Sequence, residues 1–139
     1  MILVIRISGQ VEISHAPKET LHRLRLRRKY SAVLLQPTPE NLKLLKRIRN
    51  HITYGPINQE TILELIKKRA QPLKKETKID AEEILSKLDK KTLKELGVKP
   101  FFRLHPPRGG IDAKKHFGTT KKAVLGENKK IDELVRRML

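Results

Sequence analysis

Three short apolar runs, separated by stretches with helical spacing, constrain this chain more than anything else in it. Residues Ile2 to Ser8 are β-branched and apolar, interrupted only by Arg6, and read as a buried strand that Gly9 ends. Tyr30 to Gln36 encloses Ala32-Val33-Leu34-Leu35, a second strand, and Ile52-Thr53-Tyr54 is a third, closed by Gly55-Pro56. Between the first two, Pro17 suits a first helical turn, and Leu21 and Leu24 fall three apart on one helical face. Between the second and third, Pro37-Thr38-Pro39 breaks the chain. Thr38 is placed to cap a helix that begins with Pro39 and carries Leu42, Leu45 and Ile48 as its stripe. Asn58 is placed to cap a further helix bearing Ile62, Leu63, Ile66 and Ala70. The order is β-α-β-α-β, then a helix. Few strands with short connections predict an α+β fold: a three-stranded sheet with helices packed on one face.

The rest of the chain is less periodic. Pro72 to Lys78 reads as a linker. Asp80 and Glu83 have capping-box spacing, Ile79 and Ile84 are placed as a hydrophobic staple, and Ile84, Leu85 and Leu88 form the buried face. Thr92 is placed to cap a short turn that Gly97 stops in the left-handed conformation. Pro100 to Gly126, with Pro106-Pro107 and Gly109-Gly110, predicts an irregular, extended segment. Residues 105–126 are expected to be poorly ordered without a partner, for want of apolar side chains. Ile131, Leu134, Val135 and Met138 restore helical spacing for a terminal helix that docks on the body. Three parts result: a core over 1–57, a helical extension over 58–98, and a basic irregular segment with a docking helix over 99–139.

Charge narrows the function. The 139 residues carry 32 Lys and Arg against 15 Asp and Glu, a net charge of +17. Self-repulsion of that size calls for a polyanionic partner. The excess is uneven: residues 71–98 hold seven basic side chains against six acidic, while 99–126 hold seven against one. A charge-rich thermophile surface would spread its excess over the helices, and a membrane-surface helix would set it opposite an apolar face. Here it lies in turns and a Pro/Gly-rich segment, which suits the relief of folded RNA better than a regular duplex groove. No apolar run approaches the ~18 residues of a membrane span, and no signal-peptide pattern opens the chain, so a cytosolic protein is expected. There is no Cys.

Arg23, Arg25, Arg27, Arg28 and Lys29 form the first candidate set for phosphate contact, the alternative being a solvated helix end. Tyr30 fits either a base stack or the core. Arg47, Arg49 and His51 lie near the end of the second helix, where cations suit the dipole, and join the RNA-binding candidates. Arg103, His105, Arg108, Lys114, Lys115, His116, Lys121 and Lys122 form the second patch, interleaved with Phe101, Phe102 and Phe117. Phe101 and Phe102 are expected to anchor the segment, and Phe117 fits either an anchor or an RNA contact. The five histidines show no metal-ligand spacing, and no Gly-x-x-x-x-Gly-Lys loop occurs. No nucleophile, base and oxyanion donor assemble, so neither an enzyme nor a cofactor is expected. A helix-turn-helix is disfavoured because the basic helix from Pro39 lies between two strands. The competing reading is a stand-alone basic nucleic-acid-binding or chaperone protein.

Three stretches carry a family resemblance: Ile2 to Gln36; Tyr54-Gly55-Pro56 with Glu60-Thr61 and Lys68-Arg69-Ala70; and Phe102-Arg103-Leu104-His105-Pro106-Pro107-Arg108-Gly109-Gly110. The third is the most specific, because so many special residues fall in order. The terminal Ile131-Asp132-Glu133-Leu134 to Arg136-Arg137-Met138 adds to it. Together they resemble the archaeal branch of the large-subunit ribosomal protein family L-thirty, whose longer eukaryotic member is L-seven. The resemblance implies a β-α-β-α-β core like a reduced ferredoxin-like fold. It implies binding to large-subunit rRNA beside neighbouring ribosomal proteins in the cytoplasmic ribosome, near the 5S rRNA. It also implies contacts from Arg103, Arg108 and the turn Arg25 to Tyr30, whereas Lys114 to Lys122 departs from the family's pattern.

Overall fold

The computed structural model describes residues 1–7, 9, 14–75, 80–88, 90–91, 93–119 and 122–139, excepting the side chains of 112–114. Ser8, Ile79, Thr92 and Lys121 lie outside the described residues, so the expected staple, the Thr92 cap and the Lys121 contact are not placed.

The expected alternation holds through the first half: β1 (Ile2–Arg6), α1 (His15–Arg23), β2 (Ser31–Leu35), α2 (Pro39–Arg47), β3 (Ile52–Pro56) and α3 (Gln59–Arg69). Then come α4 (Ala81–Lys87), β4 (Phe102–Arg103), β5 (Asp112–His116), β6 (Ala123–Glu127) and α5 (Ile131–Met138). The three expected strands form the middle of a larger sheet. Its order is β4-β2-β1-β3-β6-β5, six strands in all. β1 runs antiparallel to β2 and β3, β4 antiparallel to β2, β6 parallel to β3, and β5 parallel to β6. The segment 100–126, expected to be irregular, therefore supplies both edges. Ala123, Val124 and Leu125 are buried, so β6 has the apolar content that the expectation of disorder over 105–126 denied it.

Helices cover both faces rather than one. All five residues of β1 are buried. Its even and odd side chains point to opposite faces, so each face needs its own cover. On one, Ile2, Val4, Val33, Ile52 and Tyr54 pack with Leu21 of α1, Leu45 of α2, and Leu26 and Ile48. On the other, Leu3, Ile5 and Ala32 join Ile62, Leu65 and Ile66 of α3, Ile84 of α4, and Ile131, Leu134, Val135 and Met138 of α5.

Local chemistry sets several helix ends. Thr38 Oγ1 accepts from the Asn41 N–H at 3.3 Å, with Pro39 in the first turn. Asp80 Oδ1 accepts from the N–H groups of Glu82 and Glu83, while Glu83 itself turns to Lys87. Asn58 stands at the cap position of α3 without a side-chain cap; its N–H instead donates to Asp132 of α5 at 3.0 Å. Gly97 has the left-handed φ of 81° expected of a helix stop. Gly55 has a different reason to be glycine: a Cβ there would meet the Asn128 carbonyl, where the chain leaving β6 crosses β3.

Candidate nucleic-acid interface

Strand direction decides which basic residues meet. β1 ends where its antiparallel neighbours begin: Arg6 lies level with Ile52, and Ile5 with Ala32. β4 ends beside Ser31, with Arg103 as its partner. α5, running back from the far end of β6, finishes against the same end, where the His105 N–H donates to the Met138 carbonyl at 2.9 Å. One end of the sheet thus gathers the turn 25–30, the residues 47–51 before β3, and the segment 103–110.

Arg6 holds the turn from beneath. It is fully buried, and its Nη1 donates to the Leu26 carbonyl at 2.7 Å and its Nη2 to Gly9 at 3.2 Å. Its own carbonyl accepts from the Tyr30 N–H at 2.7 Å. Burial lowers the pKa of this guanidinium. Arg25 and Tyr30 have φ of 67° and 65°, a left-handed backbone rare in non-glycine residues. With Leu26 buried, Arg27, Arg28 and Lys29 are left exposed at the tip. Tyr30 packs against the larger core, with the Lys29 ammonium 5.1 Å from its ring centre.

The segment 102–110 is tied to that turn and to α5. Phe102 is buried in the core, while Phe101, on the other side, packs against the smaller cluster with the Arg103 guanidinium 5.8 Å from its ring centre. The Leu104 N–H donates to the Tyr30 carbonyl at 3.1 Å, and the Arg108 N–H to Arg137 at 3.1 Å. Arg137 Nη1 returns donors to the carbonyls of Arg108 and Gly110, and Lys122 Nζ donates to Gly109. Gly109 and Gly110 have φ of 80° and 75°, which explains the glycine pair. The side chains of Arg103, His105 and Arg108 remain exposed.

The other candidates divide. Arg47 and Arg49 are exposed beside this end, and His51 is half-buried. Burial, and then the nearby Arg6 charge, lower the His51 pKa, so it contributes less positive charge at pH 7 than an ordinary histidine. His116 is half-buried and reaches Asn50 with its Nε2 2.9 Å from Oδ1, a bridge between β5 and the approach to β3. Phe117 is half-buried, and Lys115 and Lys122 are exposed. Lys114 is placed only by its backbone in β5. Arg23 pairs with Glu19 at 2.8 Å, and together with Arg25 it lines a groove beside β2 instead.

Sequence reasoning did not single out Arg6 or Arg137 as organisers of the site. The signal for Arg6 was there: a lone charge in an otherwise apolar strand must find buried partners. Arg137 had no such signal, because a basic residue in a last helical turn is ordinary. Among the described residues no group of three His, Asp or Glu side chains is arranged to hold a metal, and no helix is long and apolar enough to cross a membrane.

Known proteins are similar to this chain in sequence. The family described as ribosomal protein L30p/L7e matches residues 2–52. The large ribosomal subunit protein uL30 of Korarchaeum cryptofilum is 31% identical, covering 100% of this chain and 95% of its own length. That of Nanoarchaeum equitans is 34% identical over 98% of this chain and 97% of its own. That of Aeropyrum pernix is 37% identical over 78% and 79%. Similarity at this level over nearly the whole of the chain and of its relatives is family membership, and the chain belongs to the ribosomal protein L30p/L7e family.

Proposed function

We propose that this chain is a structural constituent of the large subunit of the cytoplasmic ribosome, where the basic end of its sheet binds and stabilises folded rRNA. Membership of the L30p/L7e family makes it a structural protein and not an enzyme. The observation that carries the RNA-binding reading is the convergence of two basic segments, far apart in sequence, on one platform: Ser31 pairs with Arg103 and Tyr30 bonds Leu104. Arg27, Arg28, Lys29, Arg103 and Arg108 are the leading phosphate contacts, supported at the rim by Arg47 and Arg49. Backbone fixed by Arg6 and Arg137 presents their flexible side chains without further ordering of the main chain, which lowers the entropic cost of binding. The finer assignment, a position near the 5S rRNA among neighbouring ribosomal proteins, rests on the family resemblance.

Gradient sedimentation of cell extract, followed by hydroxyl-radical footprinting of the reconstituted subunit, tests this. The chain is expected to travel with large subunits and to protect rRNA in a way that R27A/R28A/R103A/R108A loses. A chain that stays at the top of the gradient, or coats random duplex DNA as tightly as rRNA, contradicts it.

A further inference from the structure

β2 is left uncovered along half its length. β4 pairs with it only at Ser31 and Ala32, although β2 continues to Leu35. The ladder stops for a chemical reason: Pro100 has no N–H, and the Lys99 N–H donates to the Gln71 carbonyl at 2.8 Å. The Leu104 N–H donates to the Tyr30 carbonyl, so that carbonyl faces this edge, and by alternation along β2 the hydrogen-bonding groups of Ala32 and then Leu34 do too, while the Tyr30 N–H turns to Arg6. No strand lies beyond Leu34 among the described residues.

The open edge is the floor of a groove of about 530 Å³. One wall continues the larger core, with Leu34, Leu88 and Leu93; the other continues the smaller one, with Leu24 and Leu35. A strand laid on Leu34 projects alternate side chains to the two walls, and both walls are leucine. The rim is basic: Arg25, Lys90, Lys91 and Lys94 are exposed around it, and Glu95 is the one acid among the described lining residues.

We propose that this groove receives an extended acidic segment of another protein, which adds a strand to β2 at Leu34. The cations repel a second copy of this basic chain, so self-pairing is disfavoured. The described lining has leucine walls and no aromatic side chain on which a base would stack, so the basic rim is assigned to carboxylates of a strand and the RNA to the opposite end of the sheet. The partner supplies main-chain hydrogen bonds to the edge, apolar side chains at alternate positions and carboxylates between or beside them. The site shares only Arg25 with the RNA platform, so one can fail without the other.

An octapeptide alternating valine and glutamate, added to the isotope-labelled full-length chain, tests the proposal by amide chemical shift. Saturable shifts at Leu34 and Leu35 are expected, with affinity at least tenfold weaker for K91E/K94E, two exposed sites at which an unchanged circular dichroism spectrum is the expected control. A counterpart N-methylated along one edge of the strand, and a valine–lysine version, are expected not to bind. Absence of binding, equal affinity for the N-methylated peptide, or shifts confined to residues 26–30 overturns the proposal. So does an oligouridylate that shifts Leu34 where the acidic peptide does not, because the groove is then an RNA surface.

Discussion

The turn 25–30 and the segment 102–110 present the same chemistry on differently built supports. Both hold exposed arginines on a backbone pinned by inward N–H bonds, from Leu26 and Tyr30 in the turn and from Leu104, His105 and Arg108 in the segment. The turn hangs on Arg6, a side chain with no exposed surface, inside the central strand of the sheet. The segment hangs on α5, through the end of a helix and the half-exposed Arg137. A buried charge with two carbonyl partners is hard to replace, because its loss leaves acceptors stranded away from water. A half-exposed guanidinium is easier to lose, because water substitutes for it. The two halves of one binding platform should therefore differ in robustness, and each can be loosened separately.

The largest effects should come from the two anchors. Replacing Arg6 with Met keeps the volume but leaves the Leu26 carbonyl without its donor. The expected cost is about 3 kcal/mol in denaturant unfolding, with amide exchange rising first at Leu26 and Tyr30. Leu134→Ala removes a buried side chain from α5 and should cost ~2–5 kcal/mol. Its exchange signature should instead be at His105 and Arg108, whose N–H groups bond the end of that helix. Matching exchange patterns for the two variants would erase the distinction between the supports. Arg137→Ala should be milder, roughly 1 kcal/mol or less, and confined to Arg108–Gly110.

Acid supplies the smallest and most selective perturbation. His51 lies beside Arg6, and burial together with that charge holds its pKa below the ordinary 6.5. As pH falls through 6.5 the unfolded chain takes up the proton before the folded one. This residue's contribution is thus intact above 6.5 and is lost progressively between 6.5 and its lower folded value. His51→Gln should flatten that part of the stability–pH curve, while Leu134→Ala leaves its shape unchanged. An unaltered curve in the Gln variant would mean that His51 titrates as it does in water.

Half of this architecture could be read from residues alone. β1, β2 and β3 were legible because their apolar runs are continuous, and α2 because Thr38 and Pro39 mark its start. The same continuity held a message that was misread: Ile2 to Ile5 are apolar at every position, which requires cover on both faces, yet a one-faced helix layer was expected. β4 is two residues long and β5 reads Asp-Ala-Lys-Lys-His, so neither carries an apolar alternation. They are strands because of their neighbours. Ala123-Val124-Leu125 was a readable run, hidden by its place at the end of a stretch rich in Lys, Pro and Gly. In the candidate site, the exposed arginines were visible as local density of charge. Their meeting was not, because it depends on the pairing of Ser31 with Arg103, a register that no local pattern encodes.

Affinity for large-subunit rRNA measured across a range of salt concentrations, for the natural chain and for R27A/R28A/R103A, bears most directly on the claim that both supports serve one platform. If all three arginines neutralise phosphates, the slope of log affinity against log salt should become shallower by about 0.7–0.9 for each phosphate left without its arginine, with contributions from both segments. Parallel slopes for the two proteins would contradict it, because the arginines would then face solvent in the complex as they do in the free chain.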